Sequence, residues 1–206
     1  AMLTGVIRAR MSDTGSGNAL TVDPMASETT FYKDMASDIT LRQGQAVLDC
    51  SRIVFGSVIG NDVIAGGSQA DHLYGMGGND VLTGNQGNDY LEGGKGSDTL
   101  EGGKGDDILI GGEGIDTYVI NTGDGHDTII DDGRNILVID GKTFAGVFVK
   151  QEGSNSYVFT SDDATYTMTF NSPGTLTLDG STSINFLNQT SAADFADGDF
   201  GIRLWD

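Results

Sequence analysis

From Ser57 to Val119 the chain repeats every nine residues without a gap, and this period restricts the fold more than any other feature of the sequence. The units read S-V-I-G-N-D-V-I-A (Ser57 to Ala65), G-G-S-Q-A-D-H-L-Y (Gly66 to Tyr74), G-M-G-G-N-D-V-L-T (Gly75 to Thr83) and G-N-Q-G-N-D-Y-L-E (Gly84 to Glu92). They continue as G-G-K-G-S-D-T-L-E (Gly93 to Glu101), G-G-K-G-D-D-I-L-I (Gly102 to Ile110) and G-G-E-G-I-D-T-Y-V (Gly111 to Val119). The sixth position is always Asp: Asp62, Asp71, Asp80, Asp89, Asp98, Asp107 and Asp116. The eighth is always apolar: Ile64, Leu73, Leu82, Leu91, Leu100, Leu109 and Tyr118. The fourth is Gly except at Gln69. A helix would place apolar residues at i, i+3 and i+4. One apolar residue in nine, set between Gly-rich stretches, instead specifies a short strand and a tight turn. Glycine tolerates positive φ there and lets carbonyls crowd inward.

The charge balance points to a partner for the Asp column. With 30 acidic and 11 basic residues the formal net charge is −19. Such a chain repels itself when compact unless something positive neutralises it. Nucleic acid is not expected as a partner, because phosphate binding needs clustered Lys and Arg. A divalent cation is the expected counterion. Of the 32 glycines, 17 lie within the seven units and follow the period, which a flexible linker has no reason to keep. Cys50 is the only cysteine, so neither an internal disulfide nor a Cys-based zinc site is available; it reads as a small half-buried apolar residue. No window of about 20 apolar residues occurs, so no transmembrane helix is expected. The N-terminus lacks the pattern of a cleavable signal peptide. Ala1 before Met2 reads as a cloning scar on a piece of something longer.

The units resemble the G-G-x-G-x-D-x-U-x nonapeptides of the RTX (haemolysin-type calcium-binding) family. The resemblance is tight over Ser57 to Val119 and looser through Tyr118 to Ile130, which is similar to a degenerate closing repeat. It implies an all-β fold: a right-handed parallel β-roll with two nonapeptides per coil, followed here by an antiparallel β cap. Same-side turns then stand 18 residues apart. Asp62, Asp80, Asp98 and Asp116 fall on one side. Asp71, Asp89 and Asp107 fall on the other, with Asp127 a fourth member if a two-residue slip is allowed. In the family pattern each calcium takes the carbonyls of positions one and three of one turn, positions two and four of its neighbour, and both sixth-position Asp residues. Carried onto this chain, the carbonyl donors are Gly60, then Gly75, Gly77 and Gly78, then Gly84, Gln86 and Gly87. They continue as Gly93, Gly94, Lys95 and Gly96, then Gly102, Gly103, Lys104 and Gly105, then Gly111, Gly112, Glu113 and Gly114.

That donor set suits calcium, a hard ion taking about 6–8 oxygens. Two carboxylates and four carbonyls make six, and an interior Asp has two oxygens with which to bridge two ions. Adjacent pairs give five ions, or six with Asp107/Asp127. Six ions bring +12 and move the net charge from −19 to −7. Gln69, in place of Gly, is expected to weaken sites through Asp71.

The flanks differ in pattern. Residues 132–206 alternate polar and apolar residues over 135–140, 146–150, 157–160, 165–170, 175–178 and 183–187. Turn signals separate these runs at Asp140-Gly141, Glu152-Gly153, Ser172-Pro173-Gly174 and Asp179-Gly180. This antiparallel segment is expected to cap the roll at residue 131, since a repeat array needs its open end covered. The tail from Asp194 to Asp206 reads as an uncleaved C-terminal secretion signal, as in RTX proteins, or as the last element of the cap. In residues 1–56, Ser27 as an N-cap with Phe31, Met35 and Ile39 at helical spacing suggests a short helix, or the remnant of an upstream domain.

Catalytic readings find little support. Asp13-Thr14-Gly15-Ser16 spells an aspartic-protease motif, but no second copy supplies its partner Asp. Asp23-Pro24 resembles the self-cleavage bond of some RTX relatives, without the rest of that module. No G-x-S-x-G or H-E-x-x-H motif occurs. His72 and His126 fall at outward positions of the roll. No Thr ladder suggests ice binding. The resemblance therefore implies a calcium-binding, non-catalytic module of a secreted bacterial protein. Such a module is handled by type I (ABC transporter) secretion machinery and follows an upstream toxin, lipase or protease domain. The alternative is a calcium-stiffened adhesin module.

Overall fold

The computed structural model describes residues 30–34, 39–42, 51–131, 134–160, 165–170, 174–178, 181–188, 195 and 199–205. The leading strands are β1 (Thr30–Asp34), β2 (Ile39–Arg42) and β3 (Ser51–Phe55). The repeats form β4 (Val63–Ala65), β5 (His72–Gly77), β6 (Val81–Gln86), β7 (Tyr90–Lys95), β8 (Thr99–Lys104), β9 (Ile108–Glu113) and β10 (Thr117–Ile120). Next come β11 (His126–Ile130), β12 (Ile136–Ile139), β13 (Lys142–Thr143), β14 (Gly146–Lys150) and β15 (Ser156–Thr160). The chain ends through β16 (Thr165–Phe170), β17 (Gly174–Thr177), β18 (Ser183–Phe186) and β19 (Ile202–Trp205), the last preceded by a 3-10 turn at Asp199–Gly201.

Each repeat contributes one strand, and successive strands fall alternately in two sheets. One sheet holds β4, β6, β8, β10 and β12; the other holds β3, β5, β7, β9 and β11. All these neighbours pair in parallel, with His72 beside Tyr90, Tyr90 beside Ile108, Val81 beside Thr99 and Thr99 beside Thr117. Partners 18 residues apart mean that two nonapeptides make one coil, as the resemblance implies. The offset grows to 19 where Thr117 meets Ile136 and to 20 where Ile108 meets Thr128. Parallel pairing thus outlasts the strict period, and β12 continues its sheet beyond residue 131.

The period fixes the core. Side chains alternate between the faces of a strand, so the eighth-position residue points inward while the seventh and ninth face out. Leu73, Leu82, Leu91, Leu100 and Leu109 are wholly buried, and Ile64 and Tyr118 nearly or fully so. They form one column between the sheets. Outward, Val63, Val81 and Ile108 are exposed.

The expected strand runs after residue 134 appear as β12 and β14–β18. Strands β14 to β18 form an antiparallel meander, and β18 returns in parallel beside β11, so the meander extends one sheet of the roll. Within the tail, Ile202–Trp205 form β19, which pairs in parallel with β14. The end of the roll is closed by rings. Phe200 lies 5.8 Å from Tyr118 and 4.7 Å from Phe186, and Phe186 lies 5.5 Å from Phe195.

The N-terminal reading needs correction. Phe31 and Ile39 stand in strands β1 and β2, not on a shared helix; Met35 and Ser27 lie outside the described residues. The physical reason is the edge left by β3. Its unpaired backbone groups need partners, and Thr30, Phe31 and Tyr32 favour extended backbone, so β1 pairs with β3 in parallel and with β2 in antiparallel fashion. Cys50, the Asp13–Ser16 motif and Asp23-Pro24 also lie outside the described residues.

Because Leu100 is fully buried in the middle of the column, Leu100→Ala is expected to destabilise the calcium-loaded fold by about 2–5 kcal/mol. Thr99→Ala, on the outer face, should cost under about 1 kcal/mol. Denaturant unfolding in calcium checks both; equal losses would contradict the assigned faces.

Candidate metal centre

Just before each strand of the repeats, the sixth-position Asp turns inward. From Asp80 onward these side chains are at most 2 % exposed, and Asp71 is also fully buried. They stack in two rows, one along each edge of the roll. In the first row the main-chain N–H of Asp62, Asp80 and Asp98 donates to Oδ1 of Asp80, Asp98 and Asp116 respectively, each at 2.7 Å. In the second, Asp71 donates to Asp89 and Asp89 to Asp107 at 2.7 Å, and Asp107 donates to Asp127 at 3.1 Å. The structure therefore brings together every expected Asp pair, including Asp107/Asp127 across the slip.

One oxygen of each carboxylate is used in this way. The other, Oδ2 of Asp80, Asp89, Asp98, Asp107, Asp116 and Asp127, is buried without a hydrogen-bond partner. It faces carbonyl oxygen from the next coil. A Cβ added at Gly75 would meet Asp80 Oδ2 and the Gly93 carbonyl, both at 2.5 Å. The same convergence joins Asp89 Oδ2 and the Gly102 carbonyl at Gly84. At these turns position one is glycine because any side chain would fill this cradle; in the first unit, where position one is Ser57, the cradle falls at Gly56 instead. Position four is glycine for a second reason: a Cβ at Gly96 would strike the Gly78 carbonyl of the previous coil. Gln69 stands in the first turn of its row, and among the described residues no earlier turn lies against it.

The electrostatics leave the rows short of positive charge. Burial pushes the Asp127, Asp89 and Asp107 carboxyls up to about 8, about 7 and about 6. The N–H of the previous coil opposes the rise, and neighbouring carboxylates add to it. Asp80, Asp98 and Asp116 are raised for the same first reason. Stacked coils lie about 4.8 Å apart, so adjacent ionised carboxylates would repel by roughly 3 kcal/mol per pair at an effective dielectric constant of about 20. A hard divalent cation fits the donors: paired carboxylate oxygens with carbonyls alongside. Among the described residues no group of three His, Cys, Asp or Glu side chains could hold a metal ion; the oxygens that stand beside the unpartnered Asp Oδ2 atoms at Gly75 and Gly84 are main-chain carbonyls. Those of Lys95, Lys104 and Glu113 already accept the N–H of Gly78, Gly87 and Gly96 at 2.8–2.9 Å. Each keeps a second lone pair.

Residues 58–91 and 83–118 each match the family model described as RTX calcium-binding nonapeptide repeat (4 copies). The centre of this chain is an RTX calcium-binding array. No curated protein matches the chain. The match covers the coils that carry both Asp rows, from Asp62 to Asp116.

The two rows of the RTX array begin with partners that sequence reasoning missed. Asp62 Oδ2 accepts the Ser57 N–H at 2.5 Å and the Ser57 hydroxyl at 2.9 Å. Asp71 accepts the Gly67 and Arg52 N–H groups, while the Arg52 guanidinium reaches the Gly66 carbonyl and, at 3.1 Å, that of Ala65. A resident cation thus opens the second row. The first row also runs further than the period shows. Asp116 N–H donates to Asn135 Oδ1 at 2.9 Å, and Asn135 N–H donates to Asp199 Oδ1 at 2.7 Å. Asn135 precedes a strand just as the sixth-position Asp residues do, but an added residue hides it from a strict count of nine.

Asp98 lies between two same-row neighbours, whereas Asp62 begins its row and already has Ser57. Asp98→Ala is therefore expected to remove about two calcium ions and Asp62→Ala at most one, by calorimetric stoichiometry. Equal losses would contradict the row arrangement.

Proposed function

We propose that this chain is a calcium-triggered folding module that supports type I secretion and then stabilises a larger secreted bacterial protein, such as a toxin, lipase or protease. The reading assigns residues 57–131 to the calcium-binding roll, 132–206 to its cap and 1–56 to a flank. The observation that supports it best is the set of six buried Asp oxygens without a hydrogen-bond partner. A buried polar atom left unpaired costs about 1–3 kcal/mol, and more when charged. Six such atoms would consume most of the roughly 5–15 kcal/mol by which an ordinary domain is stable.

Bound calcium supplies the missing positive charge and accepts these oxygens as ligands. The sixth-position Asp residues from Asp62 to Asp127 provide the carboxylates, and positions one to four of the turns provide the carbonyls. Five or six ions satisfy the two rows. Calcium that binds only the folded state stabilises it by mass action. In a cytoplasm poor in calcium the module stays open and passes through a secretion channel, with its C-terminal segment addressed to the ABC transporter machinery. Outside, calcium drives the coils to stack.

Circular dichroism of the chain in chelator should show little strand structure, and millimolar calcium should convert it to a β spectrum. A full β spectrum in chelator would contradict the proposal.

A further inference from the structure

We propose that the first Asp row ends in an additional cation site, built by Asp116 and Asp131 and positioned by Tyr118 and Asn135. The inference rests on the calcium reading of the repeats and extends it beyond the last nonapeptide.

The argument starts from the geometry shared by the regular turns. A position-one glycine marks the point where its own Asp Oδ2 meets the glycine carbonyl of the next coil, as at Gly75 and Gly84. At Gly111 the pattern continues with different atoms. Its added Cβ would meet Asp116 Oδ2, Asp131 Oδ2 and the Tyr118 hydroxyl. A side-chain carboxylate thus stands where earlier coils present a carbonyl. Asp116 is fully buried and its Oδ2 has no hydrogen-bond partner, so an unpartnered carboxyl oxygen points into the site beside Asp131. Asp131 and Asn135 are each 5 % exposed.

The supporting residues are held in place. Tyr118 occupies the apolar column, but its hydroxyl donates to Asp131 Oδ2, and its ring is fixed against Phe200. Asn135 takes the sixth-position role, accepting the Asp116 N–H at 2.9 Å. Its own N–H is taken by Asp199 beside the C-terminal strand. Two carboxylates brought together inside the protein, with a hydroxyl and main-chain oxygens nearby, favour a hard divalent ion. A regular site carries two carboxylates and four carbonyls; this one keeps the carboxylate count by drawing Asp131 from the loop after β11. The site also joins the roll to the cap, since its members come from β10, that loop and the start of β12.

Equilibrium dialysis of the full chain against calcium, followed by metal analysis, tests the site. Asp131→Asn should bind one ion fewer than the wild type and keep its β spectrum in calcium. An unchanged count in folded Asp131→Asn would overturn the proposal and make Asp116 and Asp131 a proton-sharing pair. If Asp131→Asn does not fold, the count is made on Tyr118→Phe, which keeps the buried ring and removes only the hydroxyl that holds Asp131. That variant should bind one ion several-fold more weakly, and an unaltered titration would overturn the proposal. A wild-type chain that binds no calcium would instead overturn the reading of the repeats and the terminal site with it.

Discussion

Stacked carboxylates without positive charge are the constraint on which the rest of this structure depends. Parallel coils repeat every position at the spacing of neighbouring strands, so an Asp once per nonapeptide becomes a column of Asp. Burial alone would protonate such a column or prevent the coils from meeting. Each carboxylate spends one oxygen on the main chain of the preceding coil and directs the other to a carbonyl of the next. The row is therefore an arrangement of acceptors that lacks a donor. Its two starting points are exceptions: Ser57 serves Asp62, and Arg52 serves Asp71. At these two places the chain supplies its own N–H groups and one guanidinium.

The hydrophobic column and the carboxylate rows depend on each other. Eighth-position side chains fill the space between the sheets, but one residue in nine gives a thin core. The cap adds what the repeats lack. Phe148, Met168, Leu176, Ile184, Phe186, Phe195, Phe200 and Ile202 are buried in the same cluster as the repeat leucines. Ile184 shows how the second row closes: it pairs beside Asp127, so the next inward position after the last carboxylate is apolar. The first row closes differently, through Asn135 and then Asp199. One edge of the roll thus ends in hydrocarbon and the other in polar side chains from the cap.

Much of this was legible in the sequence because a nine-residue period carries its own register. The Asp column, the buried leucines, the alternation of strands between two sheets and the strand runs of the cap follow from spacing. Asp127 is legible across a two-residue slip, but other departures from the spacing are not. Asn135 stands 19 residues after Asp116 and is not an Asp. Asp131 acts through a loop, and the role of Arg52 depends on a strand that precedes the first repeat. The apolar spacing of Phe31 and Ile39 suits a helix when read locally, whereas the structure places both in strands. The strand there is favoured by the free edge of β3, which local spacing does not reveal. Tyr118 fits the apolar column, yet its hydroxyl, the atom that reaches Asp131, is invisible to a pattern that registers only hydrophobicity.

The central claim is that cations lie inside the roll, between same-row carboxylates, rather than scattered over an acidic surface. Anomalous diffraction from crystals grown in calcium tests it most directly. The account requires two files of peaks, including positions between Asp80 and Asp98 and between Asp89 and Asp107, each in contact with an Asp Oδ2. Ordered coils with no anomalous density between these carboxylates, or calcium confined to the outer faces, would contradict it.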